Sequence, residues 1–381
     1  MKKMISELLD VLEKEFDKSE FETKCFFSPI SVAVMGDPCG EIGGVGLYIP
    51  LSRGNYLLLR KNNQGLIRIH NIDNAETIEY RLGGADCKYD SDSKFYNTLI
   101  YEMQIRKIDV KGFDIVYYSD ADENLKHSEY LSLKMGVAFA LNRAFNDSLK
   151  INTLIKIVGK ALGYKPEDRN SFAELFTIAK SQKDTALFFN SSTLNYVPLK
   201  LYNENLNVYV LYKDISLSEK ITKAKLELRN CLKILQEEHN IDRLGLLSGE
   251  DLPVASAFCK DKMQWQKLQY VVGENDRTID AVKHLARADY KKVKELFHES
   301  YTAFTENTSI DQTSFTSIYD DLYSNDEVMG VKHFYNDKSF GLIVISRKDL
   351  GEDIGTLLSD TDITLSSYMI GGGIHEKLEV K

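Results

Sequence analysis

What most constrains this chain is a change of hydrophobic period along it. Ile5, Leu8, Leu9, Leu12 and Phe16 stand at helical spacing, which predicts an amphipathic helix over residues 4–16. The pattern then switches. Gly44 to Leu51, Asn55 to Arg60, Leu66 to Ile72 and Glu76 to Leu82 are short runs rich in β-branched and aromatic side chains. Turn clusters such as Ser52-Arg53-Gly54 and Asn62-Asn63-Gln64-Gly65 divide them, so an antiparallel meander is expected, with Gly112 to Ser119 as a further strand. From there the pattern turns helical, over Leu131 to Phe145, Ile151 to Leu162 and Ser171 to Gln182, before a strand at Thr185 to Asn190. Strands gathered early and helices later give an α+β class.

The stretch 191–206 reads as a boundary. Beyond it come a strand at Asn207 to Lys213, a long helix over 217–241, and helices over 271–286 and 288–305. Glu327 to Lys348 alternates like a hairpin with Asn336-Asp337 at its tip, and a last strand, Ile363 to Ile370, precedes Gly371-Gly372-Gly373. A chain of 381 residues is long enough for two domains or one large two-lobed unit.

Composition removes several function classes. The chain carries 48 Lys and Arg against 57 Asp and Glu, a net charge of −9, with no basic block. Nucleic-acid binding needs a surplus of cations to release counterions, so no nucleic-acid partner is expected. Apolar runs such as Met135 to Leu141 are too short to span a bilayer, so no membrane role is expected either. Met1-Lys2-Lys3 leads into Glu7, Asp10, Glu13 and Glu15, where a secretion signal needs an apolar core; a cytoplasmic location is the expectation. The five cysteines (Cys25, Cys39, Cys87, Cys231 and Cys259) are scattered without a CxxC pair, and the seven histidines show no ligand spacing. Reduced thiols and no metal site follow from that pattern. Trp265 reads as a packing residue.

Several strings taken in order resemble the galactokinase family of the GHMP small-molecule kinases. Gly112-Phe113-Asp114-Ile115-Val116-Tyr117-Tyr118-Ser119-Asp120 is similar to the family's strand before its phosphate loop, and Ala140-Leu141-Asn142-Arg143-Ala144-Phe145 to the end of the helix after it. Val272-Gly273-Glu274-Asn275-Asp276-Arg277 resembles the family's V-x-E-N-x-R helix, and Leu296-Phe297-His298-Glu299-Ser300 the next one. The resemblance runs collinearly along the whole chain. It implies a two-lobed α+β fold: an N-terminal lobe like ribosomal protein S5 over 1–195 and a ferredoxin-like lobe over 196–381. The last strand has the option of returning to the first lobe.

The family's site motifs are altered. Its first motif, G-R-V-N-L-I-G-E-H-x-D-Y-N-G-G, falls on Ile30 to Gly44. The family's catalytic arginine falls on Ser31, and its sugar-binding E-H-x-D falls on Asp37, Pro38, Cys39 and Gly40. Only Asp37 keeps a carboxylate for a sugar hydroxyl, one methylene shorter. The phosphate loop, P-L-G-A-G-L-S-S-S-A, falls on Asp122 to Leu131. Glycines let backbone N–H groups close around an anion, and here Asn124 and Lys126 replace them. Ser128 is the one serine kept from the run of three, and Ser128 with Glu129 would hold phosphate or magnesium. Asp122, Glu123 and Glu129 are expected to repel a polyanion, with Lys126 offsetting one of the three.

The base position of G-x-M-D-Q-F falls on Glu174, which otherwise reads as a solvated helix residue. The third motif, G-x-G-F-G-G, falls on Phe334 to Gly341 without a glycine pair, so a plain hairpin is expected there; Gly371-Gly372-Gly373 reads as a turn. The resemblance with these losses implies a galactokinase-like protein whose catalysis is impaired or absent, in a regulatory, scaffolding or other-ligand role, with no cofactor required. The alternatives are an active ATP- and magnesium-dependent sugar 1-kinase with Glu174 as base, and a non-catalytic sugar or nucleotide sensor. A sugar or a protein is the expected partner.

Overall fold

The chain is described by a computed structural model over residues 2–16, 18–36, 43–82, 91–164, 169–201, 205–215, 245, 247–257, 259, 261–307, 312–336 and 338–377. Helix α1 (Lys2–Phe16) forms where the helical spacing predicts it. Leu8, Leu12 and Phe16 bury against Cys25, Leu58 and Val116. A large apolar side chain gains roughly 1.5–3 kcal/mol on full burial, so Leu12→Ala would undo much of the docking of α1. Burial also pushes the Cys25 thiol up to about 11, against the opposing charge of Lys377, which leaves it an inert thiol.

The first sheet has eight strands: β1 (Thr23–Met35), β2 (Val45–Lys61), β3 (Leu66–Asn71), β4 (Glu76–Arg81), β5 (Phe113–Ser119), β6 (Thr185–Asn190), β7 (Asn195–Lys200) and β12 (His375–Lys377). Its main order is β12-β1-β2-β5-β3-β4, with β6 on the first part of β2 and β7 on β6. The expected meander is corrected in three ways. The runs at 44–51 and 55–60 are one strand, and Ser52-Arg53-Gly54 lies inside it. Gly54 is needed because a Cβ there would stand 2.1 Å from the Ser28 carbonyl oxygen of β1. Further, β3 does not pair with β2. Strand β5 lies between them, antiparallel to β2 and parallel to β3.

The reason is a buried ion cluster. Asp114 on β5 accepts from Arg60 Nη2 of β2 at 3.1 Å, from Arg68 Nε of β3 at 2.8 Å, and from Asn62 Nδ2 at 2.7 Å. A buried carboxylate needs such partners, so this cluster favours the strand order that brings both arginines to it. Finally, β1 precedes all the expected strands. Its residues are buried almost throughout, so no two-residue alternation marks it.

Helices α2 (Ser91–Gln104), α3 (Lys126–Phe145), α4 (Ile151–Ala161) and α5 (Arg169–Lys180) pack with this sheet around one apolar core. The expectations covered α4 and α5; α2 was not foreseen, and α3 begins more than a turn before Leu131. Strand β7 lies within the stretch 191–206, which the sequence marked only as a boundary.

The second sheet is antiparallel, in the order β11-β8-β10-β9. It comprises β8 (Asn207–Asp214), β9 (Val328–Tyr335), β10 (Ser339–Ser346) and β11 (Thr364–Met369). The helix expected over 217–241 lies outside the described residues. Helix α6 (Leu252–Ser256) leads into α7 (Lys262–Leu285), whose N-cap Asp261 accepts from Gln264 N at 2.8 Å. Helices α8 (Tyr290–Asn307), α9 (Thr313–Ser324) and α10 (Gly351–Leu357) complete this half, and Trp265 packs in its core as expected. Strands β9 and β10 form the expected hairpin, with Asn336 Oδ1 accepting from Lys338 N and Ser339 N, each at 2.8 Å.

Strand β11 stays on β8, and it is the short β12 that reaches the first sheet, pairing with β1. The Gly371-Gly373 turn carries the chain across: Gly371 N–H bonds Pro50 O at 2.8 Å and Gly373 N–H bonds Ser181 O at 2.9 Å. Apolar side chains of both halves, among them Val34, Ile49, Phe297 and Met329, meet around a cavity of about 30 Å³. No helix among the described residues is long and apolar enough to cross a membrane.

Candidate functional site

The segment that matches the first motif, Ile30 to Gly44, starts within β1 and runs past its end. Gly36 has φ +82°, and a Cβ on it would stand 2.3 Å from the Val45 carbonyl oxygen, so the two sides of a narrow neck meet here. Two adjacent residues of α7 hold the neck. Glu274 Oε1 accepts from Gly36 N–H at 3.2 Å, and Asn275 Oδ1 accepts from Val45 N–H at 2.9 Å. Glu274 is fully buried. It also accepts from Ser300 Oγ at 2.9 Å, Lys332 Nζ at 3.1 Å and Arg277 Nε at 3.1 Å. Burial alone would raise its carboxyl, but Lys332 and Arg277, with the Ser300 and Gly36 bonds, hold it below the usual range. Asp37 and Cys39 lie outside the described residues.

Below the neck, β1 and the start of α3 are joined by small polar side chains. The β1–β2 register slips between Pro29 and Ser31. Ser31, where the motif resemblance puts the family arginine, is buried and donates its N–H to Ser128 Oγ at 2.8 Å. Ser28 and Ser132 exchange hydroxyl-to-carbonyl bonds of 2.7 Å, and Asn55 Nδ2 donates to Glu129 O and Ser132 Oγ, each at 3.0 Å. Gly136 permits this closeness, since a Cβ there would lie 3.0 Å from Ser28 Cβ.

The carboxylates of segment 122–129 are not left to repel an anion unopposed, which corrects the expectation that Lys126 offsets one of three. Asp122 accepts from Arg53 Nη1 at 3.2 Å and from the Tyr368 hydroxyl. Lys126 Nζ stands 3.2 Å from both Glu123 Oε1 and Glu129 Oε2. Burial works against its charge, but Glu129 and Glu123 raise its pKa overall. Thus two cations face three carboxylates. Asn124 is buried, and neither of its side-chain polar atoms has a partner among the described residues, although its carbonyl accepts from Asn336 Nδ2 at 2.7 Å.

Glu174 is on α5, which packs on α3, and its Oε1 lies 3.9 Å from His127 Nε2. So Ser31, Ser128 and Glu174 come into one neighbourhood around the start of α3, with Glu129 turned to Lys126 on the same helix. His127 is the residue the sequence did not reveal. Its only signal was its place beside Ser128, since its relation to Glu174 crosses two helices. The third-motif hairpin touches the second motif through Asn336. Among the described residues no group of three His, Cys, Asp or Glu is placed to hold a metal ion.

No family model matches the chain. Relatives do. A galactokinase from Clostridium acetobutylicum is 25% identical over 313 residues, spanning 80% of each chain. One from Clostridium tetani is 27% identical over 302 residues, 77% of this chain and 76% of that one. Among solved structures, Lactococcus lactis galactokinase complexed with galactose superimposes with a TM-score of 0.83 at 18% identity, covering 98% of this chain and 99% of that one. Methanococcus jannaschii mevalonate kinase gives 0.63 at 10% identity, covering 91% and 98%. The relatives run collinearly with most of the chain and the fold is shared almost end to end, so the chain is similar to galactokinases in sequence and has the fold of the GHMP kinases.

Proposed function

We propose that this is a galactokinase-like protein in which ATP-dependent phosphorylation of a sugar is impaired or lost, and whose fold serves a regulatory, scaffolding or other ligand-binding role. The observation that carries the reading is that Lys126 and Ser128, the groups of segment 122–129 suited to hold a phosphate, are already engaged within the protein. Lys126 is bracketed by Glu123 and Glu129, and Ser128 Oγ is already an acceptor for Ser31 N–H. A nucleotide triphosphate with magnesium does not fit these residues well. Side chains of Asn124 and Lys126 stand where the family has glycines. Each like-charge contact at 4 Å costs on the order of 1 kcal/mol in water and about 4 kcal/mol at an effective dielectric of 20. Ser31 offers a hydroxyl where a guanidinium would balance the transferred phosphoryl charge.

A coupled assay with ATP, magnesium and galactose tests this: turnover at the rate of an ordinary sugar kinase would refute it. One observation favours the second reading, an active sugar 1-kinase. His127 beside Glu174 puts an imidazole next to the base position. In that case Glu174→Ala abolishes turnover. A thermal-shift series with galactose, related sugars and magnesium ATP separates a ligand-binding role from a scaffolding one, because a ligand of the folded state alone raises the melting temperature by mass action.

A further inference from the structure

We infer that residues 120–125 form a strap that the second sheet holds shut over the start of α3, an autoinhibitory contact at the former phosphate site. The inference rests on the impaired-kinase reading and adds to it the way the site is closed. The strap's near end is fixed to the first sheet, where Asp120 Oδ1 accepts from Gly54 N–H at 2.6 Å. Its middle is tied to the second sheet at two points. Tyr368 of β11 donates its hydroxyl to Asp122, and Asn336 at the β9–β10 tip donates to Asn124 O at 2.7 Å.

Arg53 of β2 completes the Asp122 tie from the first sheet. Its guanidinium carbon lies 5.0 Å from the centre of the Tyr368 ring, so the two donors that hold Asp122 are stacked on each other. The Arg53 contact is a single nitrogen shared by both carboxylate oxygens, at 3.2 and 3.4 Å, rather than the stronger two-nitrogen fork. Both side chains of that pair are partly exposed. These are ties that a competitor can replace.

The closed strap also carries a cost. The Asn124 amide is 94% buried with neither polar atom partnered among the described residues. A buried unsatisfied amide disfavours the closed state, and opening would hydrate it. A strap with two replaceable ties and one internal penalty is poised between two states. The competitor is a phosphate-bearing anion, because the Arg53 guanidinium, once released from Asp122, donates to phosphate oxygens as readily as to a carboxylate, and Tyr368 serves only as a tie on the strap.

The test is amide hydrogen exchange on the full chain and on Tyr368→Phe/Asn336→Ala, combined with calorimetric titration of magnesium pyrophosphate. In the double variant the amides of 120–129 should exchange about tenfold faster, the effect of roughly one net hydrogen bond. Those of β8 should not change, which reports that the fold is intact. Pyrophosphate should bind the double variant about tenfold more tightly than the wild type, the same free energy read as affinity. Equal exchange in both proteins overturns the strap. Faster exchange without tighter pyrophosphate binding overturns its autoinhibitory role. If the variant also loosens β8, Tyr368→Phe alone is measured against the same two criteria. Galactose turnover in the same wild-type sample keeps the two failures apart, since normal turnover refutes the impaired-kinase reading whatever the exchange rates show.

Discussion

The neck at Gly36 and Val45 and the segment at 120–129 stand close to the same site and are built on opposite principles. At the neck a fully buried carboxylate meets two cations, a serine and a backbone N–H, so its charge is fully partnered. In the segment the charged pairs are partly exposed and one buried amide is left over. Removing one partner of a buried ion network strands the others, whereas a surface pair can be exchanged at little cost. That asymmetry accounts for a resemblance that is strong in the supporting helices and weak in the site loops. The string Val272 to Arg277 is scaffold for the first motif, and scaffold of that kind tolerates little substitution. The segment's groups could be replaced one at a time.

Four measurements put that contrast to the test. Glu274→Ala should be the most damaging, costing about 3–5 kcal/mol in urea denaturation because Lys332 and Arg277 are left buried without a counter-charge. A loss below about 1 kcal/mol, the range of an exposed pair, would erase the distinction between the two regions.

Acid should act next. Burial pushes His333, beside Lys332, down to about 3 from an ordinary 6.5, so the folded chain binds fewer protons there than the unfolded one. Stability then falls as pH drops from 6.5 toward 3, by up to about 1.4 kcal/mol per pH unit. Glu274 adds to this: its lowered pKa gives stability that is complete above 4.5 and is lost as pH falls through the folded value. Melting curves of His333→Phe should be flatter than wild type between pH 6.5 and 4.5; identical slopes would remove His333 as the cause.

In the segment, Asn124→Ala should raise stability by about 1 kcal/mol, by deleting polar atoms that the fold buries unpaired. A loss of stability there would mean that the amide is satisfied in solution. Lys126→Ala should be the smallest effect, a change of about 0.5 kcal/mol or less, as for other exposed ion pairs.

Periodicity made the local elements legible: α1, α4, β8 and the β9–β10 hairpin stand where spacing and turn residues put them. It failed where the cause is not local. Strand β1 is buried on both faces and has no alternation to read, and the position of β3 depends on Asp114 reaching arginines on two other strands. Of the candidate site, Ser31, Ser128, Glu129 and Glu174 were found through the family's motifs, which fix order along the chain. What each of them touches was not legible, because Ser31 meets Ser128 across 97 residues and Glu174 meets His127 between helices. Asp37 stays an expectation from the motif alone.

Strand β12 has a consequence for how the chain is made. Cys25, Phe26 and Phe27 of β1 find their partners in Lys377, Glu376 and His375, and Lys377 covers the rings of Phe27 and Tyr56 at 4.8 and 4.4 Å. A ribosome therefore releases β1 long before its outer edge can be covered. At roughly 5–20 residues per second, the nascent chain leaves that edge bare for some tens of seconds. Chaperones, or pairing with a neighbouring polysome's product, would compete for it throughout that interval.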